Sequence, residues 1–432
     1  MLARTVLLLR DHFDQSVTDN ELVHALTSVS VVVAADRANL ATAEGQHALV
    51  TAALLSARAG ARVSIQIADD VPRLGSQAPL LDTRLGPALS AVLEDLRPDR
   101  QSATAESCDI ADVAVLIGDT HWRGRACRVL RLQADAWAGA MEGDGGGARW
   151  RRFSSPFGPL AAGGLAAGEV YKTAIERLAV HAIDPVAFDL LFAPTQSAMV
   201  RLAPTGTPPP HGDLGVFDLV SGGAIIQSAL YALGRIPDVS GNGRVIEPER
   251  GDETNLNRYA LLLRSRLNSF KAEDLADWAR SGGLGGIALS SVVARYDAAL
   301  AKSLAPHAPA ILVGVDHIPS RWIVQAARPQ WLGIGATTHY SSMASYHTAR
   351  LACARCLHAH DDPTDGPIPT VAFVSHWAGL WLASLFARAR NGGLLDASQQ
   401  SVFMTSLRAE SAASTWFSPV APRIDCPLGC AA

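Results

Sequence analysis

The stretch GVFDLVSGGAIIQSALYALG, residues 215–234, is the key to the architecture. GVFDLV (215–220) is a short, mostly apolar run of the kind a strand covered on both faces carries. SGGAIIQSALYALG (221–234) then turns at Gly222 and Gly223 and continues with the length of a helix, ending at Gly234. Ligands of open parallel sheets bind beyond the carboxyl ends of strands, where a glycine turn lets the backbone approach an anion at a helix N-terminus. The full glycine fingerprint asks for glycine at three positions, and Ser221 and Ile226 stand where the first and third would be. By itself the turn therefore suits an ordinary strand–turn–helix as well as a phosphate loop.

On either side of it, strands and helices alternate through both halves of the chain. In the second half the strands are RVIEP (244–248), GIALSS (286–291), AILVGVD (310–316) and WLGIGAT (331–337), with a helix at PSRWIVQAAR (319–328). In the first half SVSVVVAA (28–35), RVSIQIAD (62–69), ADVAVLIGD (111–119) and RACRVLRLQ (125–133) read as strands. AEGQHALVTAALLSARAG (43–60) and LAAGEVYKTAIERLAVH (165–181) read as helices. This alternation predicts an α/β protein with parallel sheets. APTGTPPPHGD (203–213) is a connection that cannot be helical, and EGDGGGARW (142–150) reads as a loop. The domain boundary is placed near residue 182, giving units 1–182 and 183–432.

The 432 residues leave ample room for buried cores, and at 18% charged residues with a net charge of −4 nothing argues for nucleic acid. The N-terminus lacks the apolar core of a signal peptide. VAFVSHWAGLWLASLFA (371–387) is marginal in length for a membrane span, carries His376, and reads as a strand end followed by a buried helix. The expectation is a soluble, cytoplasmic protein without membrane contact.

Chemistry concentrates after the strand that ends at Glu247. That acid stands a little over twenty residues beyond the glycine turn, where a carboxylate holds ribose hydroxyls. A nicotinamide enzyme would look the same to this point. Asn255, Asn257, Arg258 and Lys271 then supply neutral and cationic donors suited to a triphosphate. Asp316 ends a strand and would hold magnesium through one carboxylate. Taken singly, each is as readily a solvated loop group; their order argues otherwise.

That order resembles the ubiquitin-activating, ThiF/MoeB-like adenylyltransferases. The shared pattern is an acid ending the second strand, NLNR (255–258), the lysine before alanine in FKAEDLA (270–276), and VDHIPSRWIVQAA (315–327). The match runs from about Val216 to the C-terminus. It implies a Rossmann-like ThiF fold that binds ATP and Mg2+ and adenylates the C-terminal carboxylate of a ubiquitin-like protein. On this resemblance Gly222 and Gly223 lie at the nucleotide, Glu247 holds ribose, and Asn255, Arg258 and Lys271 contact phosphates, with Asn257 in the same motif. Asp316 governs magnesium, and Arg321 is structural. The chain departs from the pattern at the glycine loop, at Tyr259 in place of glutamine, and at His317 in place of asparagine.

Cys353 and Cys356, with Cys426 and Cys430, form two close pairs about seventy residues apart, the makings of a closed tetrahedral zinc site. The family's second pair is normally Cys-x-x-Cys, and here it is Cys-x-x-x-Cys, with His358 and His360 as substitute ligands nearby. The segment where ubiquitin-type enzymes carry a nucleophilic cysteine, DDPTDGPIPTVAFVSHW (361–377), has none. Three readings stay open. The reaction stops at the adenylate, which is ranked first. An oxyester forms on Thr370, Thr364 or Ser375, with His376 as a base. Or Cys127 of the first half is recruited.

The first half lacks both the glycine loop and the NLNR motif, and it resembles an inactive adenylation half fused to the active one. The expected architecture is a tandem pseudo-dimer with a C-terminal zinc knuckle. An arginine from one half reaches the other's ATP in such enzymes, and Arg4, Arg10 and Arg37 are the candidates. Fused enzymes of this kind occur in bacterial ubiquitination-like systems linked with antiphage defence, so a conjugating-enzyme partner is implied by the same resemblance. The alternatives are a nicotinamide oxidoreductase and a catalytically inactive binding module. The polar segment THYSSMASYH (338–347) reads as a surface loop or as part of the path for an incoming C-terminal tail.

Overall fold

The computed structural model describes residues 1–97, 110–143, 145, 147–361, 368–392, 397–409 and 415–430. The first sheet contains β1 (Ser30–Ala34), β2 (Arg62–Gln66), β3 (Ile110–Ile117), β4 (Arg125–Ala134), β5 (Ala138–Glu142) and β6 (Ser197–Arg201) in the order β2-β1-β3-β4-β5-β6. Its first four strands are parallel, and β5 and β6 are antiparallel. The second sheet contains β7 (Asp213–Val220), β8 (Ser240–Ile246), β9 (Gly286–Val292), β10 (Ala310–Val313), β11 (Trp331–Thr338), β12 (Ser341–His347), β13 (Ser401–Thr405) and β14 (Thr415–Ser418). Its order is β9-β8-β7-β10-β11-β12-β13-β14, parallel as far as β11 and antiparallel beyond. The block β2-β1-β3-β4 of the first sheet thus recurs as β8-β7-β10-β11 in the second.

Between the sheets lie the helices Ala43–Ala59, Phe157–Glu176, Ala224–Leu233 and Ala372–Arg390, packed on one another. The first starts where Thr42 accepts from Gly45 N and stops at Gly60, whose φ of +125° suits glycine. The last is buried almost throughout, which accounts for its apolar sequence. No helix among the described residues is long and apolar enough to cross a membrane. Close approach requires Gly379, where a Cβ would lie 2.5 Å from Ile225 O. One apolar core runs through both halves, from Leu2 to Ala409. Hydrogen bonds join them as well: Thr51 Oγ1 to Tyr231 OH at 3.0 Å, and Tyr171 OH to Tyr340 OH at 3.1 Å.

Several expectations are corrected. The first sheet takes β6 from beyond residue 182, so the break between sheets falls at the proline-rich connection after it. Residues 338–347 are not a surface loop. They turn at His339 and return as β12, with Ser342 and Ser345 buried. Among the described residues no strand immediately precedes the helix at Ala372. The helix read at 165–181 begins at Phe157 and ends at Glu176. Thr364 and Cys108 lie outside the described residues.

Candidate functional site

A cleft of about 430 Å³ opens beyond the carboxyl ends of β7, β8 and β10, where an open parallel sheet binds its ligands. Arg4, Arg258, Lys271, Arg295 and Arg321 line it, together with the carboxylates of Glu247, Glu249 and Asp316. The cations therefore outnumber the acids, as an anionic ligand requires.

At the floor, Ser221 occupies the turn after β7 with φ +110°, a left-handed value that costs a non-glycine residue about 1–3 kcal/mol. The backbone thus keeps the glycine conformation without the glycine. Ser221 Oγ accepts from Gly223 N at 2.9 Å and lies 3.4 Å from Glu247 Oε2. Glu247, the first residue after β8, accepts from Gly222 N at 2.8 Å and from Glu249 N at 3.0 Å. Gly223 lines the cleft; Gly222 packs behind it, where a Cβ would lie 3.0 Å from Lys271 Cβ.

Lys271 begins the helix Lys271–Arg280, with Nζ 2.5 Å from Glu249 Oε2 and 5.3 Å from the Tyr259 ring centre. Burial pulls its pKa down, but Tyr259 and the carboxylates of Glu249 and Glu247 outweigh it, so the ammonium is held above its ordinary value. Arg258 stands 5.2 Å over the same ring, and its Nη1 donates to Thr254 O at 2.7 Å and Asn257 Oδ1 at 2.8 Å. Burial, reinforced by Arg4, lowers Arg258. Tyr259, a departure from the family pattern, thus serves as an aromatic floor for two cations.

Asp316 lies three residues beyond the end of β10, exposed at the cleft. Arg321 holds that turn, its Nε and Nη2 donating to Val315 O at 3.0 and 2.8 Å. Burial lowers Arg321 to about 10, against the pull of Asp316.

Not every candidate reaches the cleft. Asn257 is fully buried away from it, and its Nδ2 donates to Thr5 Oγ1 at 3.1 Å and Thr370 O at 3.2 Å. Its Oδ1 accepts from Arg258 Nη1 at 2.8 Å, so both ends of the amide are taken up inside the protein. Asn255 is likewise buried off the lining, its Oδ1 accepting from Asp252 N at 3.2 Å in a capping box. Thr370 and Ser375 do line the cleft, their hydroxyls 3.4 Å apart. His376 is turned to the other half, where its Nε2 meets Leu160 O at 3.2 Å. Cys127 is exposed on β4, away from the cleft. Arg10 and Arg37 pair with Asp19 and Asp70. Arg4, from the N-terminal helix Ala3–Arg10, does reach the cleft, and Thr370 N donates to its carbonyl at 3.3 Å. Glu249 and Arg295 were not singled out by sequence reasoning; Glu249 is one more charge in a run of charges, and no spacing marks Arg295.

The four cysteines converge. All four sulfurs lie within 4.8 Å of one another, with Cys353 Sγ 3.8 Å from Cys356 and 3.5 Å from Cys426. Zinc–sulfur bonds of about 2.3 Å at tetrahedral angles place sulfurs about 3.8 Å apart, so the set fits zinc and leaves no open position. The second pair's extra residue is accommodated. His358 is no substitute ligand, because Arg321 Nη1 lies 3.2 Å from its Nδ1. His360 is exposed and outside the cysteine cluster.

At the corresponding end of the first sheet the space beyond β1 and β3 is filled by the chain itself. Asn39 Nδ2 donates to Asp119 Oδ1 at 2.9 Å and to Thr120 Oγ1 at 3.1 Å, and its Oδ1 accepts from Trp150 N at 3.0 Å. At Gly118, just after β3, a Cβ would already lie 2.5 Å from the Trp150 side chain.

Residues 30–188 match the family described as the BilD N-terminal domain, a region that contains none of the cleft residues. The uncharacterized protein y4jF of Sinorhizobium fredii is 26% identical over 344 residues, or 77% of this chain, which spans 61% of that relative's length. Among solved structures, E. coli MccB with AMPCPP and MccA shares 14% identity at a TM-score of 0.41, over 49% of this chain and 66% of that one. E. coli MccB with MccA shares 13% at 0.40, over 70% of this chain and 97% of that one. Likeness at these scores assigns no residue a role.

Proposed function

We propose that this chain is an ATP-dependent adenylyltransferase that activates the C-terminal carboxylate of a ubiquitin-like protein. The observation that carries this reading is the convergence of Arg258, Lys271 and Asp316, with Glu247 and Arg4, around one strand-end cleft. Phosphoryl and nucleotidyl transfer depend mainly on positioning and charge stabilisation, and these groups supply both. Glu247 would hold the ribose, and Arg258 and Lys271 the phosphates. Asp316 would hold Mg2+ and Arg4 would reach the nucleotide from the first half. The carboxylate attacks the α-phosphorus, pyrophosphate leaves, and an acyl-adenylate remains. The residues beyond the proline-rich connection form the catalytic unit and those before it its non-catalytic counterpart, an internal pseudo-dimer. Zinc on the four cysteines is structural, tying the chain end to the second sheet. The match of the first half to the BilD N-terminal domain supports a place in a bacterial ubiquitination-like system, with a conjugating enzyme downstream.

A second reading, a catalytically inactive binding module, is favoured by the closed glycine turn, where Ser221 and Glu247 already take up the Gly223 and Gly222 amides. A nicotinamide oxidoreductase leaves the five cations of the cleft without a joint role. Transfer to an oxyester on Thr370 or Ser375 is a further step for which both hydroxyls are placed at the cleft. ATP–pyrophosphate exchange with the purified chain and a ubiquitin-like protein separates these readings. The proposal expects exchange with a free C-terminal carboxylate and none with the C-terminal amide. No exchange with any ubiquitin-like protein supports the inactive module.

A further inference from the structure

Arg58 is fully buried near the end of the helix Ala43–Ala59, in the first half. It has no carboxylate partner among the described hydrogen bonds and ion pairs. Its Nη1 donates to Leu256 O at 2.7 Å, and its Nη2 to Leu262 O at 2.8 Å and Ala260 O at 3.3 Å. All three carbonyls belong to the loop of the second half that carries Arg258 and Tyr259. At the far end of that loop Asp95, also from the first half, accepts from Arg264 N at 2.5 Å and Ser265 N at 3.1 Å. The cation takes carbonyls and the anion takes amides, so each charge meets the matching end of the backbone dipoles. A buried guanidinium is costly to desolvate and is retained only where several strong hydrogen bonds offset that cost. Leu256, Ala260 and Leu262 are themselves buried, so water cannot replace Arg58 at their carbonyls.

We propose that Arg58 and Asp95 are positioning residues for the cleft: from the first half they fix the backbone of residues 256–265 and so aim Arg258 at its ligand. The first half is then required for nucleotide binding although it holds no nucleotide. This rests on the reading of the cleft as a nucleotide site. The restraint on the loop is measurable apart from it.

The test uses the full chain with Arg58→Met, Arg58→Lys and Asp95→Asn. Hydrogen exchange of amides 255–262 is expected to quicken in Arg58→Met, with protection elsewhere kept. The ATP dissociation constant should rise roughly tenfold, the effect expected when hydrogen bonds from a charged group are lost. Arg58→Lys should recover part of it, and Asp95→Asn should show a smaller rise. Because Arg58 acts through Arg258, Arg58→Met placed in Arg258→Ala should cost less than about twofold further. Should Arg58→Met not fold, Arg58→Lys and Asp95→Asn carry the same two readouts. A lower melting temperature with unchanged ATP affinity and unchanged loop exchange would overturn the proposal, leaving Arg58 merely structural. If the wild-type chain binds no ATP, the nucleotide reading fails, and the exchange of amides 255–262 alone decides whether Arg58 restrains the loop.

Discussion

At the carboxyl ends of β1 and β3 the chain fills its own space with Asn39 and Trp150. At the corresponding ends of β7, β8 and β10 it leaves a cleft edged by Arg258, Lys271 and Asp316. The two regions share a strand order and differ in the loops beyond the strand ends. After β2 come Leu74, Gly75 and Ser76, and Leu74 N is taken up by Gln46 Oε1 at 2.9 Å. After β8 comes the charged run that opens onto the cleft. Strand order therefore sets where a ligand would sit, and the loops decide whether one can. The first half still matters through Arg4, Thr5, Arg58 and Asp95, which reach into the second.

The largest effect should come from stripping the cleft of charge. Lys271→Ala and Asp316→Ala are each expected to cut adenylate formation by roughly 100-fold or more, measured by pyrophosphate exchange, with the fold intact by circular dichroism. Wild-type-like exchange in both variants would erase the difference between the two strand ends.

Next in size is the knuckle. The chain should carry one zinc by metal analysis, and Cys353→Ser should lose it and melt roughly 5 °C or more lower. Trp150→Ala probes the contrast from the filled side. Emptying that buried position should cost about 3–5 kcal/mol in denaturant unfolding. It should create no second nucleotide site, because the cations there are already engaged, Arg131 with the Gly118 and Thr120 carbonyls and Arg149 with Asp119.

The seam between the halves gives a pH signature. Burial, helped by the charge of Arg235 and opposed by the Leu160 carbonyl, holds His376 down at about 4, below its ordinary 6.5. The unfolded chain takes up a proton near pH 6.5 that the folded chain refuses until about pH 4. Stability therefore falls as pH is lowered through that window, by about 3 kcal/mol from this group. His376→Gln should reduce the loss between pH 7 and pH 4.5 by about 2–3 kcal/mol in urea unfolding.

The smallest effect concerns the turn that lost its glycine. Ser221→Gly relieves the φ of +110°, whereas Ser221→Ala keeps the strain and drops the hydroxyl's bonds. The glycine variant should be the more stable of the two by about 1–2 kcal/mol. Equal stabilities would mean that the turn is not strained.

How much of this the sequence revealed varied with physics that can be named. The parallel strands were legible because strands covered on both faces are continuous apolar runs, as in SVVVA and AILV. The antiparallel strands were not. β5 (AGAME), β6 (SAMVR) and β12 (SSMASYH) are built of small and hydroxyl residues that read as loop, and only the neighbouring strand defines them. In the cleft, Glu247, Lys271 and Asp316 were legible because they come after the strands in order. Asn257 is placed off the cleft lining, which the motif did not reveal because an amide suits a phosphate and a buried backbone carbonyl equally well. Arg4 could not be singled out, since its neighbours in the cleft are far away along the chain, and only the packing of the N-terminal helix brings them together.

If the chain has a single nucleotide site, in the second half, calorimetric titration of the purified protein with ATP and Mg2+ will show it, run beside Lys271→Ala. One nucleotide should bind per chain, and affinity should be lost in the variant. Two nucleotides per chain, or one bound as tightly without Lys271, would contradict that assignment.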